Sequence, residues 1–265
     1  MQPTPTKKLI LLDIFIDNLT MDEAIQKIEE ICNGDRLHQI SFVNAACFNI
    51  SFKDAEYRDI LIRSDYLFGD GSGVRYGAKM TGQRIKDNVN GTDMYPRLCR
   101  RAAEKGWRIF YLGASEDSNE RIVRDSLRRY PKLQVSGRQN GYFSLDQTHE
   151  VIERIKASNC DILLVAFGAP RQEKWIDQHK DTLKNSVKAI IGVGGLFDYV
   201  NRDAEKSAGI PRAPIWIRKI GFEWVYRLIQ EPKRMWKRYV LGNPLYLWRV
   251  FLWSIRNRDK IRQVK

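Results

Sequence analysis

Histidine is scarce, with three in 265 residues: His38, His149 and His179. His149 and His179 fall on expected helices as surface residues, and no histidine lies on a glycine-rich turn. Base chemistry therefore falls to a carboxylate. The four cysteines, Cys32, Cys47, Cys99 and Cys160, are scattered and form no Cys-x-x-Cys pair. They read as buried free thiols of a reducing compartment. No His/Cys cluster and no Asp-x-Asp in a ligand setting is evident, so neither a protein-held metal nor a cofactor is expected. The Gly-x-Gly-x-x-Gly fingerprint with its acidic partner is missing, and so is the Walker lysine, which leaves a dinucleotide or ATP site unsupported. No stretch reaches the ~18 apolar residues of a membrane-spanning helix. Residues 1–8 are polar, and the apolar run at 9–16 is broken by Asp13 without a small-residue cleavage site, so no signal peptide is expected.

What is present is a folded chain, 43% hydrophobic and 29% charged. Strand-like segments are expected at 9–16, 39–43, 66–68, 108–112, 134–137, 161–167 and 189–193. Helices are expected at 21–32, 50–63, from 73, and at 92–105, 117–130, 145–158 and 171–184. Thr20 and Glu23 form a capping box before the first helix. Alternation of this kind predicts an α/β fold, a parallel sheet with helices on both faces. Such sheets bind ligands at the carboxyl ends of their strands. The glycine-bearing turns gather there: Gly69 to Gly73 after Phe68, Gly113 after Leu112, Gly168 after Phe167, and Gly192, Gly194 and Gly195 after Ile191.

Four turns carry candidate chemistry. In Gly69-Asp70-Gly71-Ser72-Gly73 the one ionisable side chain is Asp70, which either caps the following helix or faces a pocket. Asp93, in Asn88-Val89-Asn90-Gly91-Thr92-Asp93, is either a structural acid at a helix start or a ligand to a sugar hydroxyl. Arg84 and Lys86 just upstream are phosphate candidates or part of a mobile loop. Gly168-Ala169-Pro170-Arg171-Gln172-Glu173 places a helix start at the crevice, with Pro170 at its first position. Gln172 and Glu173 there could touch a base, ribose or phosphate, since helix N-termini favour anions. Backbone amides of Gly192-Val193-Gly194-Gly195 could cradle phosphate.

Charge is concentrated at one end. Of the net charge of +13, residues 211–265 supply +11, with 14 Lys and Arg against 3 Asp and Glu, and they hold five of the seven Trp. This divides the chain at about 210 into a body, 1–210, and a basic, Trp-rich appendage, 211–265. Trp and Tyr interleaved with Arg and Lys match an interfacial helix on an anionic membrane surface. A nucleic-acid-binding arm and a basic homo-oligomer interface remain alternatives.

Together these motifs resemble the WecG/TagA/CpsF glycosyltransferases. The matching residues are Gly69-Asp70-Gly71-x-Gly73, Gly91-Thr92-Asp93, Gly168-x-Pro170-x-Gln172-Glu173-x-Trp175, Gly192-Val193-Gly194-Gly195-x-Phe197-Asp198, Arg212-Ala213-Pro214, and Gly221-Phe222-Glu223-Trp224 onward to Arg238-Tyr239. The resemblance implies a Rossmann-like domain with a basic helical C-terminal appendage. It implies an inverting, metal-independent transfer of a sugar such as N-acetylmannosamine or its uronic acid. The donor would be a UDP-sugar and the acceptor a polyprenyl-diphosphate-linked saccharide, at the cytoplasmic face of the membrane, with no nucleic acid partner. Asp70 would be the base. Asn44, Gly71, Gly73, Asp93, Gly113, Gly168, Pro170, Gln172, Glu173, Gly194 and Gly195 would line the substrate site. Arg212, Arg218, Arg227, Arg234 and Arg238 would close over a diphosphate. Where the family often has Thr-x-Asn after the second strand, this chain has Phe42-Val43-Asn44.

Overall fold

A computed structural model describes residues 6–200, 210–211, 213–214, 217 and 223–264. An eight-stranded sheet organises the chain. Its strands are β1 (Lys8–Leu11), β2 (Ile14–Asp17), β3 (His38–Val43), β4 (Tyr66–Gly69), β5 (Arg108–Gly113), β6 (Gln134–Gln139), β7 (Ile162–Ala166) and β8 (Ala189–Gly192). Their order is β1-β2-β4-β3-β8-β7-β5-β6. All pairings are parallel except β1 with β2. The α/β expectation therefore holds, with one antiparallel edge strand added.

The helices between strands are α1 (Met21–Cys32), α2 (Ala45–Ser51), α3 (Ala55–Arg63), α4 (Ser72–Met80), α5 (Gly91–Lys105), α6 (Glu116–Arg129), α7 (Thr148–Ala157) and α8 (Arg171–Leu183). Successive strand residues point to opposite faces. On one face Ile40, Phe42, Tyr111 and Leu164 pack on Ile28 of α1 and Leu98 of α5. On the other face, Val43 and Leu67 meet Phe48 of α2 and Tyr57 of α3. There too Leu163 and Val165 meet Ile155 of α7 and Ile176 of α8.

Two elements differ from the sequence reading. The run at 9–16 is a hairpin and not one strand. Leu12 and Asp13 turn it, at φ +52° and +65°. Non-glycine residues adopt such angles at a cost, and tertiary contacts hold Asp13 there. Its carboxylate accepts from Trp253 Nε1 at 3.1 Å and Lys260 Nζ at 2.5 Å. The helix expected at 50–63 is two helices, each with its own cap. Asn44 Oδ1 accepts from the amides of Ala46 and Cys47 at the start of α2, and Asp54 accepts from Tyr57 N at the start of α3. The capping box of Thr20 and Glu23 is present as expected.

Beyond the sheet, β9 (Tyr199–Val200) pairs with β10 (Ile210–Pro211). The C-terminal helices are α9 (Glu223–Gln230), α10 (Pro232–Trp236), α11 (Gly242–Arg256) and α12 (Arg258–Val264). A π-helical turn, Lys237–Leu241, joins α10 to α11. α11 joins the core cluster of β3 and β4 through Tyr246, Val250 and Trp253. Tyr246 stacks on Phe48, with ring centroids 5.3 Å apart. Asn49 Nδ2 donates to Gly242 O at 2.7 Å, and Arg249 donates to Asn49 Oδ1 at 2.8 Å. Gly73 and Gly77 of α4 face Tyr246, and a Cβ at Gly77 would collide with its hydroxyl.

That hydroxyl is buried without a hydrogen-bond partner among the described residues. Tyr246→Phe is therefore expected to be neutral or stabilising. Gly77→Ala should cost about 1–3 kcal/mol by overpacking, and less in the Tyr246→Phe background. Urea unfolding of the four proteins of this double-mutant cycle tests the contact.

Candidate active site

β3 and β8 are neighbours at the middle of the sheet; from β3 the chain goes to β4 on one side of this point, and from β4 it crosses to β5 on the other. This is where open parallel sheets form a crevice. The turns after β3, β4, β7 and β8 meet there. Asp70 N donates to Val43 O at 2.9 Å, which extends the β3–β4 ladder into the turn. Gly71, not Asp70, occupies the N-cap position of α4 at φ +87°. Its amide donates to Asn88 Oδ1 at 2.7 Å. The Asp70 carboxylate is thus not the cap of that helix, and the local-turn reading of this residue gives way.

Asp70 is half-buried. Burial pushes its carboxyl up to about 6, against the pull of Arg238, a hydrogen bond from Asn44, and Arg227; Glu223 adds to the rise. Each of these neighbours has a structural origin. Asn44 Oδ1 is engaged with the α2 amides, so its Nδ2 is the end left for Asp70. Arg227 and Glu223 come from α9, and Arg238 from the π-helical turn. The C-terminal segment therefore lies across the crevice, and Arg227 Nη2 is 4.0 Å from where a Cβ would stand at Gly195.

Gly168 and Gly194 close the turns after β7 and β8 at φ +77° and +59°. As at Gly71, nothing among the described residues lies within 4 Å of where their Cβ would be. Three turns thus present bare backbone to open space at one sheet edge. Two other predicted glycines have packing duties. A Cβ on Gly113 would meet Ala166 O at 2.6 Å, and one on Gly73 would meet Ala45 Cβ at 3.0 Å. Pro170 stands at the N-cap of α8, one position earlier than expected, after a cis peptide bond.

Gln172 and Glu173 do not open onto the crevice, as their relative exposures are 3% and 0%. Gln172 Oε1 accepts from Gly194 N at 2.9 Å and Gly168 N at 3.2 Å. Glu173 Oε1 accepts from Gln172 Nε2 at 2.7 Å. With no exposed surface, the Glu173 side chain reaches the crevice here only through its neighbour Gln172. Asp93 accepts from Asn90 Nδ2 at 2.7 Å while Asn90 Oδ1 caps the Asp93 amide, a helix-start pair at α5. Lys86 pairs with Glu23 at 2.8 Å. Arg212, Arg218 and the side chain of Arg234 lie outside the described residues. Among the described residues, no group of three or more His, Cys, Asp or Glu is placed to hold a metal ion.

Sequence reasoning missed Asn88 and Glu223 as members of the site. Asn88 lies in a motif that stood out, yet nothing in its spacing linked it to Gly71, 17 residues away.

Comparison with known proteins now bears on this geometry. The model of the WecG/TagA/CpsF glycosyl transferase family matches residues 9–260. The chain belongs to this family. Within it, a Bacillus subtilis strain 168 protein is 34% identical over 235 residues, covering 89% of this chain and 84% of that one. A Staphylococcus aureus strain MW2 protein is 26% identical over 262 residues, 98% of this chain and 97% of its own length. Both are named N-acetylglucosaminyldiphosphoundecaprenol N-acetyl-beta-D-mannosaminyltransferase. As a WecG/TagA/CpsF member the chain is a glycosyltransferase.

The raised carboxyl makes a stability prediction. A carboxyl with a raised folded-state pKa favours folding while protonated and loses that advantage as pH rises toward about 6. Asp70→Asn should melt above the wild type at pH 8, with the gain shrinking to nothing toward pH 4. Circular dichroism melts across that range check the sign.

Proposed function

We propose that this glycosyltransferase moves N-acetylmannosamine or a closely related hexose from UDP to a sugar carried on a polyprenyl diphosphate. Asp70 is the base of this reaction. The observation that carries the reading is Asp70 itself: a half-buried carboxylate at the tip of β4, uncommitted to helix capping, with arginines from the C-terminal segment beside it. The two relatives named above carry a lipid-diphosphate acceptor and a mannosaminyl group in their names.

The chemistry is a single displacement. The acceptor hydroxyl gives its proton to Asp70, and its oxygen attacks the anomeric carbon. The bond from that carbon to the donor diphosphate breaks, and UDP leaves with the electron pair. One carboxylate suffices for this inverting route. Charge grows on the departing diphosphate, and preorganised cations and amides stabilise such charge. Arg227 and Arg238 supply the cations, with Arg212 and Arg218 as further candidates. The bare turns at Gly168 and Gly194 and the start of α4 at Gly71 supply amides. Asn44 orients Asp70 toward the acceptor.

The acceptor's lipid brings the reaction to a membrane face. No helix among the described residues is long and apolar enough to cross a bilayer. α11 is apolar on two sides. Tyr246, Val250 and Trp253 enter the core, while Leu245, Trp248, Phe251 and Ile255 stay exposed, Trp248 at 57%. With the charge of the segment, that bare face fits a peripheral, cytoplasmic-side attachment to anionic lipid. Nucleic acid would leave such an apolar face unused. The division at about residue 210 is functional in this reading: the body binds the donor and the appendage reaches lipid and diphosphate.

Asp70→Asn should lower turnover by ~100-fold or more, with UDP affinity within a few-fold of the wild type. The wild-type kcat/KM should climb with pH through about 6 and then level off, as the base ionises. UDP-N-acetylmannosamine and an undecaprenyl-diphosphate N-acetylglucosamine acceptor, read by mass spectrometry, test both. Near-normal turnover by Asp70→Asn removes Asp70 as base.

Replacing Leu245, Trp248 and Phe251 together by Ser should abolish sedimentation with phosphatidylglycerol vesicles. Turnover on a detergent-dispersed acceptor should be retained. Deleting the chain after Pro211 is a poorer probe, because it also removes Tyr246, Val250 and Trp253 from the core.

A further inference from the structure

Glu173 is a wholly buried acid whose second oxygen, Oε2, has no hydrogen-bond partner among the described residues. Such a group is costly to keep inside a protein. Its use is visible in the residue before it. A glutamine amide has one accepting oxygen and one donating nitrogen. The Gln172 oxygen takes two backbone amides, Gly194 N at 2.9 Å and Gly168 N at 3.2 Å. Its nitrogen therefore points the other way, where Glu173 Oε1 receives it at 2.7 Å. A flipped amide would set its nitrogen against two N–H donors and its oxygen against a carboxyl oxygen. Glu173 thus selects one orientation. There is also no room to wander, because a Cβ on Gly192 would stand 2.9 Å from Gln172 Nε2.

We propose that Glu173 is a positioning residue. Acting through the Gln172 amide, it holds the turns after β7 and β8 in the arrangement that receives the donor diphosphate. This rests on the reading of the crevice as the donor site. The two clasped residues, Gly168 and Gly194, are two of the three glycines with nothing among the described residues within 4 Å of where a Cβ would stand. The clasp therefore fixes the spacing between two ligand-facing turns on adjacent strands, which the sheet alone fixes only up to Ala166 and Gly192. The groups facing Glu173 from neighbouring elements are the Cys47 thiol of α2 and the Tyr57 phenol of α3, both pushed up by burial and so neutral. Burial likewise pushes the Glu173 carboxyl up to about 7. No cation is needed to keep it, and Oε1 accepts from Gln172 in either protonation state.

The test compares Glu173→Gln, which retains an accepting oxygen, with Glu173→Leu, which strands the Gln172 nitrogen. Glu173→Asp, with its carboxyl drawn back by one methylene, carries the comparison if the leucine variant does not fold. With UDP as the probe in calorimetry, Glu173→Leu should raise Kd and donor KM about tenfold, with kcat within about threefold. Glu173→Gln should return all three to within about twofold of the wild type. Without any ligand, amide hydrogen exchange at Gly168 and Gly194 should quicken in the Leu and Asp variants and stay unchanged in Gln. A folded Glu173→Leu protein with wild-type UDP affinity overturns the proposal. So does Glu173→Gln as impaired as Glu173→Leu, or glycine exchange that is the same in every variant. Failure of the wild type to bind UDP overturns the donor reading instead, and the exchange comparison still decides the role of Glu173.

Discussion

The seat of Tyr246 against α4 is the contact on which the rest of the molecule depends. α4 starts immediately after the Asp70 turn, and its Gly73 and Gly77 leave the space that Tyr246 fills. The same ring stacks on Phe48 of α2, the helix capped by Asn44. One aromatic residue from α11 therefore wedges between the two helices whose first residues shape the crevice. Large buried aromatics contribute heavily to core stability. Here that stability is placed directly behind Asn44 and Asp70. The chain that continues from α11 toward the N-terminus then carries Arg238, Arg227 and Glu223 back over the same turn.

Much of this arrangement was legible in the sequence. Alternation of strand and helix patterns marked the parallel sheet, and glycine-bearing turns marked the edge where the crevice lies. Asp70 stood out because histidines are few and none falls on those turns. The hairpin at β1 and β2 was not legible. Leu12 and Asp13 are not the Asn-Gly or Asp-Gly pair that announces a tight hairpin turn, and the contacts that hold Asp13 come from residues 253 and 260. The break between α2 and α3 was missed for a related reason: Asn44 and Asp54 are common residues whose capping role shows only in three dimensions.

Gln172 and Glu173 teach a different lesson. Polar residues in the first turn of a helix at a crevice invite a direct ligand role. The packing turns them inward instead: Gln172 accepts from backbone amides of two loops, and Glu173 accepts from the Gln172 nitrogen. Period and composition cannot distinguish these cases, because both need the same residue types at the same place. Likewise Gly113, at the end of β5, and Gly168, just after the adjacent β7, look alike in sequence. One lies against the Ala166 carbonyl and the other against open space.

The anchoring of Asp13 has a consequence for synthesis. Chains emerge from the ribosome N-terminus first, and domains tend to fold as units while they do so. The hairpin of β1 and β2 receives the partners of its turn, Trp253 and Lys260, only 240 and 247 residues after Asp13. Tyr246 and Val250, which cover β3 and β4, also arrive late. The sheet must therefore wait with part of one face uncovered until residues 246–260 have been made. Until then the nascent chain is exposed to aggregation and to holding by chaperones.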